Sequence, residues 1–81
     1  MKKFIYIKGS TCQPCKVFQR TWESFISNLE FNQFEVVIDP EPEYCAKYGI
    51  RSVPSILVLE GDTHVVLTGA SLRLANLIAQ L

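Results

Sequence analysis

STCQPCKVF (residues 10–18) sets two cysteines three positions apart, with a glutamine and a proline between them and a lysine behind. Three roles are open to such a pair: a structural staple, half of a metal site, or a reactive dithiol. The flanks narrow the choice. Upstream, Phe4-Ile5-Tyr6-Ile7 is a continuous apolar run rich in β-formers, bounded by Lys3 and by Lys8-Gly9. Such a run suits a strand buried on both faces. Downstream, Val17, Phe18, Trp22, Phe25, Ile26 and Leu29 recur at spacings of three and four. That predicts a helix with one apolar face, capped by Ser10 or Thr11. The cysteine pair therefore falls where a strand hands over to a helix.

The rest of the chain continues the alternation. Residues 34–38 read as the next strand, and Asp39-Pro40-Glu41-Pro42 breaks it and opens a short helix, since proline fits a first turn. Tyr44, Cys45 and Tyr48 fall on one side of that helix, and Gly49 ends it. Residues 55–60 and 63–68 are two strands, joined by Gly61-Asp62, a two-residue hairpin signal. Ser71 caps a last helix that turns Leu74, Leu77, Ile78 and Leu81 inward. The order is βαβαββα, an α/β domain with a four-stranded mixed sheet. The first two strands are parallel through a right-handed crossover, the hairpin adds antiparallel strands, and helices cover both faces. Residues 1–81 form a single domain, with no repeat, linker or low-complexity segment.

Composition removes several function classes. The chain is 48% apolar, and its eight basic and eight acidic residues cancel with no basic run, so no nucleic-acid partner is expected. Apolar runs such as residues 56–59 are far too short to span a bilayer. The basic opening is followed by too short an apolar stretch for a secretory signal, which points to the cytoplasm. Three cysteines are an odd count and do not suggest a disulfide framework. A core of this size supplies only roughly 3–5 kcal/mol of net stability.

Position gives the cysteines their chemistry. A helix start offers unpaired N–H groups and the positive end of the helix dipole, which favours a thiolate at Cys12. Cys15 lies one turn on, within bonding reach. Cys12 then attacks a target disulfide and Cys15 resolves the mixed disulfide. Pro14 stiffens the ring, and Lys16 adds positive charge. A staple is the weaker reading, because so short a loop removes little unfolded-state entropy. A zinc set of Cys12, Cys15, Cys45 and His64 lacks a paired spacing in its second half. The plainer readings are a small, half-buried apolar residue for Cys45 and a solvated hairpin residue for His64.

Cys12-Gln13-Pro14-Cys15-Lys16 resembles the motif of the thioredoxin family, with Gln13 in the place of a glycine. Ile38-Asp39, Lys47-Tyr48-Gly49-Ile50-Arg51, Val53-Pro54 and Gly69-Ala70 also stand where thioredoxins carry them. The resemblance covers nearly the whole chain and implies a minimal thioredoxin fold. It implies a cis Pro54 facing the dithiol, a Val53 backbone that pairs with an extended target peptide, and Gly69 and Ala70 keeping the groove open. Thr11, Gln13 and Pro14 would frame the same groove. Three features depart from the family. Thr11 replaces a tryptophan, Tyr6 replaces a buried aspartate, and an N-terminal strand and helix have no room here. The first and third lean towards glutaredoxins, although those favour proline then tyrosine between the cysteines and a Gly-Gly where this chain has Gly69-Ala70.

The implied function is a monomeric thiol–disulfide oxidoreductase that reduces protein disulfides. Ribonucleotide reductase is a target suggested by family, and a thioredoxin-reductase-type donor would supply the electrons. No metal, flavin or nucleotide is implied, and no membrane. The alternative is a glutathione-linked glutaredoxin; a zinc-binding module and a non-catalytic interaction domain rank below it. With the aspartate gone, the proton on Cys15 needs another acceptor. The phenol of Tyr6, with an ordinary pKa near ~10, is no base at neutral pH, so Glu35 on the neighbouring strand is the candidate.

Overall fold

The computed structural model describes residues 2–81. Strand β1 (Lys2–Lys8) leads to helix α1 (Gln13–Ile26), strand β2 (Phe34–Ile38), helix α2 (Pro42–Tyr48), strands β3 (Ser55–Glu60) and β4 (Thr63–Thr68), and helix α3 (Leu74–Ala79). This is the expected βαβαββα order. Two single 3₁₀ turns, at Phe31–Gln33 and Gly69–Ser71, are added. The sheet runs β2-β1-β3-β4. β1 is parallel to β2, with Phe4 opposite Phe34 and Lys8 opposite Ile38. β1 is antiparallel to β3, and β3 to β4.

The pleat of β1 divides the core. Phe4 and Tyr6 point to the face covered by α1 and α3, where they meet Phe18, Trp22, Phe25 and Leu77. Ile5 and Ile7 point to the other face and pack with Ile50 and Leu57, beneath the half-buried Tyr44, Cys45 and Tyr48 of α2. The α1 face is mostly aromatic. Tyr6 meets Phe18 edge-on and Trp22 at a tilt, with ring centroids 5.3 and 5.2 Å apart, and Phe4 meets Phe25 edge-on at 4.9 Å. α2 ends at Gly49, whose φ of 71° is the left-handed conformation a helix stop requires. Among the described residues, no helix is long and apolar enough to cross a membrane.

Four local expectations are corrected. The cap of α1 is Cys12, not Ser10 or Thr11. Val17 is 78% exposed, because the inward stripe is Cys15, Phe18, Trp22 and Phe25, and Val17 lies one residue, about 100° of helix, away from it. Ser71 belongs to the 3₁₀ turn, where it bonds Thr68 in a capping box, and Arg73 precedes α3. α3 is so short that Leu77 alone is fully buried; Leu74, Ile78 and Leu81 stay partly in solvent.

Candidate dithiol site

Cys12 and Cys15 are joined as a disulfide across the first turn of α1, with Cα atoms 5.2 Å apart. Cys12 occupies the cap position with extended backbone, and the backbone N–H of Cys15 donates to its Sγ at 3.1 Å. One of the orphan donors of the helix start is thus turned on the sulfur itself. Pro14 sits in this first turn and brings no N–H of its own. Cys12 is half-buried, whereas Cys15 is 2% exposed and faces the core.

Tyr6 anchors Cys15 from below. Its phenol is fully buried and donates to the carbonyl oxygen of Cys15 at 3.1 Å, tying α1 to the central strand. Burial pushes this phenol above its ordinary value, so it remains a donor at neutral pH. The ammonium of Lys8 lies 5.7 Å from the centre of the Tyr6 ring.

A groove and a cleft flank the dithiol. The groove, about 620 Å³, runs between α1 and the loops at the ends of β3 and β4. Gln13 and Pro14 form one wall, Val53 and Pro54 another, and Gly69 closes it with Thr68. The Val53-Pro54 peptide is cis. Among the described residues, neither the N–H nor the C=O of Val53 has a hydrogen-bond partner. On the other side, a smaller cleft of about 270 Å³ is lined by Lys8, Gly9, Ser10 and Lys16 together with both cysteines. Gly9 is tightly placed: a Cβ there would sit 3.3 Å from that of Cys12 and 3.4 Å from a Val53 methyl.

The structure thus brings Cys12, Cys15, Gln13, Pro14, Val53, Pro54, Gly69, Lys16 and Tyr6 to one end of the sheet. Thr11 and Ala70 are exposed and line neither the groove nor the cleft. Glu35 is not brought to the dithiol. It pairs in register with Ile5, so the pleat turns it to the α2 face, away from Tyr6. There it bonds the ammonium of Lys3 at 2.9 Å, with both side chains nearly half exposed. Nor are the zinc candidates assembled: Cys45 packs on the α2 face, and the His64 ring rests edge-on against Tyr48 at 5.4 Å. Among the described residues, no three His, Cys, Asp or Glu side chains gather as a metal site.

Ser52, Thr68, Val17, Thr21 and Leu72, not expected at the site from sequence, complete the groove. Asp39, part of the family resemblance but without an expected role, stands just after β2 with φ of 51°, accepts the backbone N–H of Ser10 at 3.0 Å and so fixes the loop before Cys12. Hydrogen bonds from Ser10, side chain then backbone, hold its carboxyl below the usual range. An aspartate directly after a strand was the available signal, because Asp tolerates left-handed backbone.

The thioredoxin family model matches residues 3–81. A thioredoxin of Rickettsia bellii (strain RML369-C) is 33% identical over 60 residues, covering 67% of this chain and 57% of that protein. The chain thus matches little more than half the length of that relative. Among solved structures, the germline-specific thioredoxin Deadhead of Drosophila melanogaster superposes with a TM-score of 0.75 at 23% identity, over 99% of this chain and 80% of its own. Thioredoxin O2 of Arabidopsis thaliana, in its oxidized state, gives 0.76 at 17% identity, over 100% and 75%. At those identities the two structures speak to the fold alone.

Proposed function

The chain belongs to the thioredoxin family, and from that premise we propose that it is a thiol–disulfide oxidoreductase that reduces disulfides in other proteins. The observation that carries this reading is the cap geometry. Cys12 receives a helix-start N–H, while Cys15, one turn on, is sealed beneath it. In the reduced protein, the Cys12 thiolate attacks one sulfur of a target disulfide, and the other target sulfur leaves as a thiolate that takes up a proton. Cys15 then gives up its proton, and its thiolate attacks Cys12 Sγ, releasing the second target sulfur as a thiolate that takes up a proton in turn. The target gains two electrons and two protons, and the Cys12–Cys15 disulfide is formed.

The free N–H and C=O of Val53 suit an extended target segment lying in the groove. Glu35 does not face the dithiol, so solvent entering the smaller cleft would take the Cys15 proton, with Lys8 and Lys16 favouring the thiolate left behind. A thioredoxin-reductase-type donor in a reducing compartment such as the cytoplasm would return the electrons. Among the described residues, none that lines the groove is charged to meet the ionic ends of glutathione, which sets the glutaredoxin reading behind.

Trapping tests the assignment. Cys15→Ser, mixed with a disulfide-bonded substrate such as insulin, should accumulate a covalent mixed disulfide through Cys12, and Cys12→Ser should accumulate none. In the reduced wild type, an alkylating agent should label Cys12 first. Faster labelling of Cys15 would overturn the roles.

A further inference from the structure

The sheet has two open edges, and they are not alike. β4 forms one, and the side chain of Ser71 occupies both the N–H and the C=O of its last residue, Thr68. β2 forms the other, and no such cap closes it among the described residues. We propose that β2 is a self-association edge: two copies of this chain pair their β2 strands antiparallel about a two-fold axis at Val36, joining two four-stranded sheets into one. The inference does not depend on the reductase reading. It makes the expected monomer one side of an equilibrium.

Three observations carry it. The first is the phase of the backbone. The N–H of Asp39 donates to the carbonyl oxygen of Lys8 at 2.8 Å. Strand groups alternate in direction, so Glu35 and Val37 also turn theirs to β1, and those of Phe34, Val36 and Ile38 point out from the edge. No turn, loop or cap bond among the described residues uses them, and such a row is a template for another strand. The second is surface. The side chains of the same three residues lie on the α1 side, in register with Phe4, Tyr6 and Lys8. Phe34 packs against the core, but Val36 is 45% exposed and Ile38 56%. Neither proline nor lysine, the usual guards of an edge, interrupts residues 34–38. The third is register, and it selects the partner. Pairing about Val36 sets Val36 against its own copy and Phe34 against Ile38, and each such pair exchanges both N–H···O bonds. Glu35, the one charge on the strand, then faces Val37. Centring on Glu35 sets that carboxylate against itself, and centring on Val37 sets it against Asp39; like charges directly opposite are destabilising. Centring on Phe34 or Ile38 sets Val36 against Asn32 or Pro40, outside the strand. A second copy thus fits in the one register where hydrogen bonds, apolar side chains and charge agree. The edge lies on the side of the smaller cleft, whose wall includes Ile38, while the groove of Val53, Pro54 and Thr68 lies towards β3 and β4. Both copies therefore keep the groove open to a target.

The test is sedimentation equilibrium of the full chain in excess dithiothreitol, so that no disulfide through Cys45 links copies. One five-residue strand pair is a small contact, so association is weak, with a dissociation constant of about 100 µM. The weight-average mass should therefore rise from near that of one chain at ~10 µM towards that of two at ~1 mM. Val36→Lys and Val36→Glu each set like charges face to face across the axis, and each alone should stay monomeric over that range. Mixed in equal amounts they set lysine against glutamate and should regain the dimer. Position 36 is half exposed, so neither change threatens folding. A second measurement needs no variant: in the wild type, amide hydrogen exchange at Val36 and Ile38 should slow about fivefold between the two concentrations, as the dimer fills. A wild type that is still monomeric at ~1 mM overturns the proposal. So does a Val36→Lys that dimerises as well as the wild type, a mixture that fails to associate, or exchange at Val36 and Ile38 that ignores concentration.

Discussion

The two faces of the sheet are built differently. Beneath α1 and α3 lie Phe4, Tyr6, Phe18, Trp22, Phe25 and Leu77, all at 6% exposure or less. Beneath α2 the buried apolar cluster among the described residues is just Ile5, Ile7, Ile50 and Leu57, and the aromatic rings of Tyr44 and Tyr48 remain partly in solvent. The dithiol is mounted on the thick face. Cys15 shares a helix with Phe18, Trp22 and Phe25, and its carbonyl is bonded by Tyr6. A small domain with one well-filled face places its reactive pair where the backbone is held most firmly. The face that only needs covering is left thin.

The largest test of that difference is truncation on each side. Trp22→Ala should cost about 3–5 kcal/mol, comparable to the roughly 3–5 kcal/mol a core of this size supplies. The variant should therefore be largely unfolded by circular dichroism at room temperature. Tyr48→Ala, which removes a half-exposed ring from the α2 side, should cost only about 1 kcal/mol in a urea titration. Equal losses would break the comparison.

Tyr6→Phe sharpens it. The ring stays and only the bond to Cys15 is lost. Stability should fall by about 1 kcal/mol. If the phenol positions the resolving cysteine, decay of the mixed disulfide should slow by up to about fivefold, the rate equivalent of the same energy. The initial attack by Cys12 should keep its rate. A loss of stability with unchanged decay would reduce Tyr6 to a packing role.

Glu35→Gln probes the opposite face. The pair with Lys3 is nearly half exposed on both sides, so its loss should cost less than about 1 kcal/mol, and decay of the mixed disulfide should be unchanged. Slower decay would mean that the α2 face communicates with the dithiol after all.

The smallest effect concerns pH. Asp39 has its folded pKa held below the ordinary value by Ser10. Its contribution is therefore present above the unfolded pKa and fades as pH falls through the folded one, below about pH 4. Asp39→Asn, which tolerates the same left-handed backbone, should flatten that acid limb slightly in urea titrations from pH 5 to pH 3. An unaltered slope would remove Asp39 from the loop's support.

The sequence was most legible where pattern and punctuation agreed. The bounds of β2, β3 and β4 and the stop at Gly49 follow from runs of β-formers between turn residues, and the structure keeps them. The cysteine pair at a strand–helix junction was equally readable. Phase was not. Val17 and Phe18 are both apolar, and only packing decides which one faces inward. Glu35 is suggested by its place on the strand beside Tyr6, but register sets it opposite Ile5, and one residue of slip reverses the face. The cap is hard to read because Ser10 and Thr11 are better capping types than cysteine, whereas the backbone becomes helical only after Cys12. The Tyr6–Cys15 bond and the far half of the groove depend on three-dimensional placement, for which the sequence carries no local signal.

The sheet order also sets a schedule for folding. β1 is made first but lies between β2 and β3, with Lys2 opposite Glu60. During synthesis the strand that leads into the cysteines therefore waits with one flank unpaired until residues 55–60 have left the ribosome. Contacts so distant in sequence slow the search for the native state, and the hydrophobic strand is exposed to self-association meanwhile. The central position that later shields β1 is thus open until the third of the four strands has been made.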